Sequence, residues 1–298
     1  MANIYNWGYS LHISVQNFSP NMATFYTPLK HPNADAESYA NLIRTIKSGI
    51  FCKDYQNIVH LKGSNATCIE VIKGILNLAK IAEIGDIVTI TFSGHGKSSG
   101  KTNSWLLYDG MIKDFEIYQL FKLFNPQVRI ILISDCCSSH TMLDSEPHSN
   151  SLKHLDKLMD RLRKADPIMA FRLNFMLNST KETKVLCSVT SITAVSADET
   201  PVNDYYSLNR YMEMYLEKYG SIVHNMDDLM KEIRAFAIKT FSNNPELFRF
   251  LEHGVLGDNN PFNINNPLDV AHLKRILPQL NTINSQLSRD SAKLAFHV

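Results

Sequence analysis

Two stretches of this chain end in residues that could do covalent chemistry together. Arg129-Ile-Ile-Leu-Ile-Ser-Asp-Cys-Cys-Ser-Ser-His140 is an apolar, β-branched run that breaks into small polar residues. Gly85-Asp-Ile-Val-Thr-Ile-Thr-Phe-Ser-Gly-His-Gly96 has the same form. Each reads as a buried strand of a parallel sheet leaving the sheet at its C-terminal edge, and in open α/β sheets ligands bind outside those edges. The first stretch carries Cys137 past its end and the second carries His95. A thiol and an imidazole at neighbouring strand ends are a nucleophile and its base.

The elements that must position them follow from periodicity. Tyr9 to Val15 alternates and reads as a first strand. Asp35 opens a helical pattern to about Lys47, with Tyr39, Leu42, Ile43 and Ile46 on one face. Asn57 to Leu61 is a short strand. Ser64 or Asn65 would cap a helix reaching about Ala82. Ile87 to Phe92 is the strand before His95, Lys97 to Asn103 reads as a mobile Gly/Ser/Lys loop, and Trp105 to Tyr108 as a brief extended piece. Asp114 would cap a helix ending near Phe124, with Pro126 beyond it, and Val128 to Ser134 is the strand before Cys137. Period-two alternation sends Cys136 into the sheet.

Two helices, Ser151 to Lys164 and Pro167 to Leu177, then interrupt the pattern as an insertion. Ser188 to Ala194 resumes a strand, two helices follow at Asp204 to Lys218 and Met226 to Phe241, and Leu247 to Leu251 is the last strand expected. The expected fold is α/β, a three-layer α/β/α sandwich with a mostly parallel sheet of about six strands and right-handed crossovers.

Composition excludes more than it assigns. Net charge is +1, so nucleic acid and anionic membrane are not expected partners. No run approaches the ~18 apolar residues of a membrane span, and the first residues lack the pattern of a signal peptide. Five cysteines, two of them adjacent, fit a reduced, cytoplasmic setting better than a disulfide framework. No CxxC or HxxxH pair supports a zinc site.

These motifs resemble those of the caspase and metacaspase family of cysteine peptidases, with bacterial caspase-like proteases (orthocaspases) the nearest group. Ser93-Gly94-His95-Gly96 is similar to the family's histidine motif, and Asp135-Cys136-Cys137-Ser138-Ser139 to its Asp-x-Cys motif. The two lie 42 residues apart, against ~50 in caspases. Asn33-Ala34-Asp35-Ala36 resembles the Asn-Asp-Ala that starts the first helix of metacaspases.

The resemblance implies a protein or peptide substrate, a Cys137–His95 dyad, an oxyanion hole from the N–H groups of Gly96 and Cys137, and no cofactor. It implies that Asp35 and Asp135 form an acidic P1 pocket that favours Arg or Lys. The arginine that caspases place upstream is missing, since no arginine precedes Arg44. Asp198, after the later strand, is a candidate to line the substrate cleft. The chain departs from the family in lacking the glycine that usually follows the nucleophile, and in having a basic loop where a calcium site needs acids, so calcium dependence is not expected.

The resemblance further divides a single 1–298 domain into a large-subunit-like half (1–143), a helical insertion (144–182), a small-subunit-like half (183–267) and a tail (268–298). A zymogen cut at Lys153, Lys157, Arg161, Arg163, Lys164 or Lys181, and an activating partner protein, would fit it. A catalytically silent scaffold of the same fold and a cysteine hydrolase of non-protein acyl groups are the alternatives.

Overall fold

The expected strands form, and they form one sheet. The computed structural model describes residues 7–30, 32–45, 55–99, 102–126, 128–136, 151–179, 185–194, 212–213, 215, 231–233, 235 and 251–256. β1 (Gly8–Ser14), β2 (Tyr55–Lys62), β3 (Ile87–Ser93), β7 (Arg129–Asp135), β8 (Ser188–Ala194) and β9 (Leu251–Leu256) make a six-stranded sheet in the order β2-β1-β3-β7-β8-β9. All neighbours are parallel except β8 and β9. β3 is buried along its whole length, which explains its nearly unbroken apolar and β-branched sequence. The last strand, β9, is described over Leu251–Leu256, and residues 247–250 of the expected final strand lie outside the described residues.

The two faces of the sheet differ in chemistry. Leu11, Ile13, Val88, Ile90, Phe92, Ile130 and Leu132 belong to one large apolar core with α3 (Cys68–Ile81), α4 (Asp114–Phe121), α5 (Ser151–Ala165) and α6 (Pro167–Ser179). Gly74 of α3 lies so close that an added Cβ would be 2.9 Å from Leu11 Cδ2.

The alternating positions Ser10, His12, Ser14, Thr89, Thr91 and Ser93 are buried and polar. They face α2 (Pro32–Thr45), whose Glu37 reaches Lys62 and whose Asp35 reaches Ser93. His12 is satisfied there by Thr91 Oγ1 at 2.9 Å and Ser10 Oγ at 3.0 Å, so the buried imidazole is a packing residue. Helices thus cover both faces, giving the three layers.

Three local expectations are overturned. Ser64 and Asn65 lie in a single 3₁₀ turn, Gly63–Asn65, and Thr67 caps α3 by accepting from the Glu70 N–H at 3.2 Å. Lys97 to Asn103 is not one loop: β4 (Gly96–Ser99) and β5 (Thr102–Leu107) pair antiparallel, and β6 (Gly110–Lys113) completes a three-stranded sheet. Asp114 is the first residue inside α4, and its carboxylate accepts from the N–H groups of Asn103 and Phe115. The calls for helices at 204–218 and 226–241 and for a tail at 268–298 fall largely or wholly outside the described residues.

Candidate active site

The C-terminal ends of β1, β3, β7 and β8 stop in register. Ser14 faces Ser93, Ser93 faces Asp135, and Asp135 faces Ala194. Beyond β1 the chain is tied to its neighbour by Val15 N–H to Ser93 O at 3.0 Å, and its return leg by Leu29 N–H to Gln16 O at 2.9 Å. This fixes a loop over the sheet edge that includes the short helix α1 (Pro20–Ala23).

That loop holds His95. The imidazole Nε2 lies 3.0 Å from the Thr27 carbonyl oxygen. A carbonyl only accepts, so Nε2 carries a proton, and the neutral ring then has its lone pair on Nδ1. Phe18 stacks on the ring at 5.9 Å between centroids, and Tyr26 lies tilted at 6.4 Å. The backbone is held as well, since the His95 carbonyl accepts from Leu106 N–H of β5 at 2.9 Å. The hairpin is in turn anchored by Trp105, which stacks on Phe92 at 4.7 Å and donates to Ser134 Oγ at 2.8 Å. Gly94 is required by space: a Cβ there would lie 2.9 Å from Phe92 Cζ.

The two carboxylates named from the sequence converge. Asp35 stands in the first turn of α2, inside the helix and not as its cap, and its Oδ2 accepts from Ser93 Oγ at 2.9 Å. Asp135 ends β7 beside Ser93, and its carbonyl accepts from Gly94 N–H at 3.3 Å. Both are half-buried. Tyr39, fully buried one turn further along α2, registers both charges: burial, then Asp135, then Asp35 push its phenol well above the ordinary range.

Gly96 opens β4 opposite Trp105. Cys137 and Asp198 lie outside the described residues, so of the proposed dyad the structure describes the histidine. Cys136 is buried on the core side, its Sγ 3.3 Å from Ser134 Oγ, as alternation required.

The remaining described thiols are unsuited to attack. Burial first, then the Asp109 charge, raises Cys68 to about 12, and burial raises Cys187 further. The acids after the histidine motif have structural partners. Asp109 accepts from Cys68 N–H, and Glu116 accepts from Lys113 N–H and pairs with Arg161 at 3.1 Å.

Comparison with known proteins agrees with this geometry. Residues 29–146 match the family model of the metacaspase, peptidase C14 domain. The match spans the stretch that holds Asp35, His95 and Asp135, and over that stretch the chain is similar to the metacaspase peptidase domain.

Among solved structures, protein GSU0716 from Geobacter sulfurreducens is similar over 84% of this chain and 94% of its own, with a TM-score of 0.55 and 18% identity, a likeness of fold. The Drosophila initiator caspase Dronc (10% identity, 87% of this chain and 86% of that one, TM-score 0.48) and caspase-1 from Spodoptera frugiperda (10%, 85% and 87%, TM-score 0.47) are more distant. No curated protein matches the chain. Among the described residues no helix is long and apolar enough to cross a membrane.

The sequence reading missed Thr27. Its contribution is a backbone carbonyl, which no side-chain pattern announces; the prolines around it, Pro20, Pro28 and Pro32, were the available signal of a rigid loop.

Proposed function

We propose that this chain is a cysteine endopeptidase that cuts proteins after Arg or Lys, with Cys137 as nucleophile and His95 as its base. The observation that carries the reading is the meeting of Asp35, Ser93 and Asp135 at the edge where the His95 strand ends. Two peptide units cannot carry the Cys137 Cα more than about 7 Å from that of Asp135. Alternation along β7 gives Cys136 to the core.

The steps follow from the tautomer. Nδ1 of His95 takes the thiol proton, and the Cys137 sulfur attacks the peptide carbonyl. Gly96 and Cys137 N–H groups receive the oxyanion. His95 then protonates the leaving amine as the C–N bond breaks, and the thioester that remains is hydrolysed by water with His95 again as base. The Thr27 carbonyl keeps the ring oriented throughout.

Asp35 and Asp135 floor the P1 pocket, where a guanidinium or ammonium replaces water between two negative charges. Asp198 lines the cleft on the β8 side. The 1–298 chain works as one peptidase unit whose halves share a sheet, kept as a zymogen until the 144–182 segment is cut, with a partner protein as trigger, in the cytoplasm. Arg161 is a poor cut site, because its guanidinium is engaged by Glu116 and the Met111 carbonyl.

Fluorogenic peptides with Arg, Lys, Asp or Leu at P1 test this. Turnover of the Arg and Lys peptides, abolished by Cys137→Ala, is expected. Turnover of the Asp peptide would overturn the specificity, and no turnover of any peptide or protein would return the chain to the scaffold reading.

A further inference from the structure

Tyr39 is a polar residue on α2 that the chemistry above does not use. It follows Asp35 by one helical turn, and helical side chains lean back toward the N-terminus, which sets the two residues on one face of α2 with Tyr39 leaning toward Asp35. The residue is 0% exposed, and its hydroxyl has no hydrogen-bond partner. Burial and the nearby charges of Asp135 and Asp35 keep the phenol protonated, hence a donor. A buried donor with nothing to bond costs stability that phenylalanine, with the same ring, would recover. The hydroxyl therefore has a use only in a state other than the empty one, and the groups whose charges reach it are the two carboxylates.

We infer that Tyr39 is a positioning residue for the acidic pair: when a cationic P1 side chain enters, a carboxylate turns toward it and the Tyr39 hydroxyl donates to the oxygen left inside. The inference rests on the reading that Asp35 and Asp135 bind a basic side chain. Ser93 already holds one oxygen of Asp35 from the sheet side. Tyr39 supplies the matching donor from the helix side, so the bound pair is held charged and aimed from both. The hydroxyl touches the carboxylates and not the scissile bond, so it acts on binding and not on the chemical step.

The test is Tyr39→Phe in the full chain, with kcat, KM and thermal midpoint measured on peptidyl coumarin amides bearing Arg or Lys at P1. KM is expected to rise about tenfold, the worth of a hydrogen bond to a charged group, with kcat unchanged and the midpoint equal or higher. An unchanged KM would make Tyr39 a core residue only. Loss of kcat together with a lower midpoint would assign it to shape. Should the wild type cleave no basic peptide, the pocket reading fails and takes this inference with it. Should the wild type cleave them and the variant match it, this inference alone fails.

Discussion

At the N-terminal ends of β3 and β7, Asp86 accepts from Trp7 N–H at 2.9 Å and Glu83 N–H at 2.8 Å, and Arg129 donates to the Gly85 carbonyl at 2.6 Å. Both side chains are buried, at 3% and 4% exposure. At the other ends of the same strands Asp135 closes β7 and Asp35 of α2 reaches Ser93 of β3; both carboxylates are half-buried, and the hydroxyl of Tyr39 has no partner among the described residues. Charges at the lower edge are spent on backbone groups that hardly move. At the upper edge Asp35 meets a serine hydroxyl, which turns, and both carboxylates stand where solvent reaches in part. The same residue types thus serve folding at one end and ligand binding at the other, and what separates them is whether rigid backbone or a rotatable group is the partner.

The contrast predicts that substitutions at the upper edge cost activity and those at the lower edge cost stability. The largest effect is expected from His95→Ala: kcat should fall ~10²- to 10⁴-fold, the usual worth of a general base, while the unfolding midpoint stays near wild type. Next is Asp135→Asn, for which kcat/KM on an Arg peptide should drop about 10- to 100-fold, as for one charge-assisted hydrogen bond, with less change on a Leu peptide. Asp86→Ala should do the reverse. Two partly buried N–H groups lose their acceptor, for about 1–3 kcal/mol of unfolding free energy, and activity per folded molecule should be kept. If Asp86→Ala instead lost activity at full stability, the division between the two edges would be wrong.

The smallest effect is in pH. Burial raises the Asp86 carboxyl above its ordinary range, outweighing the Glu83 and Trp7 amides that lower it. Its folded pKa thus exceeds its unfolded value, so the folded state binds more protons between the two. Its stabilisation is fullest below the ordinary carboxylate value of about 3.9 and declines as pH rises through the raised one. Urea titrations should show the gap between wild type and Asp86→Ala narrowing from acid toward neutral pH. A gap that widens would contradict the sign.

Much of this was legible in the sequence because the buried elements carry strong periods. The apolar runs of β3 and β7 announced both the sheet and where it ends, and α3 showed its face through Ile72, Ile75 and Ala79. Lys97 to Asn103 was read as a loop because Gly, Ser and Lys signal turns, whereas here the largely exposed β4 needs only backbone pairing to β5. Asp35 was found through its motif. Thr27 could not be, since its contribution is a backbone carbonyl, and Tyr39 was assigned to an apolar stripe, since a sequence shows a tyrosine but not whether its hydroxyl is matched.

The most direct test joins sulfur, imidazole and acidic floor in one reaction. The full chain is treated with a peptidyl chloromethyl ketone bearing arginine at P1, and the adduct is mapped by mass spectrometry. The account predicts one adduct, on Cys137, strongly reduced in His95→Ala and in Asp135→Asn. An adduct on another cysteine, or equal labelling by the corresponding aspartyl ketone, would contradict it.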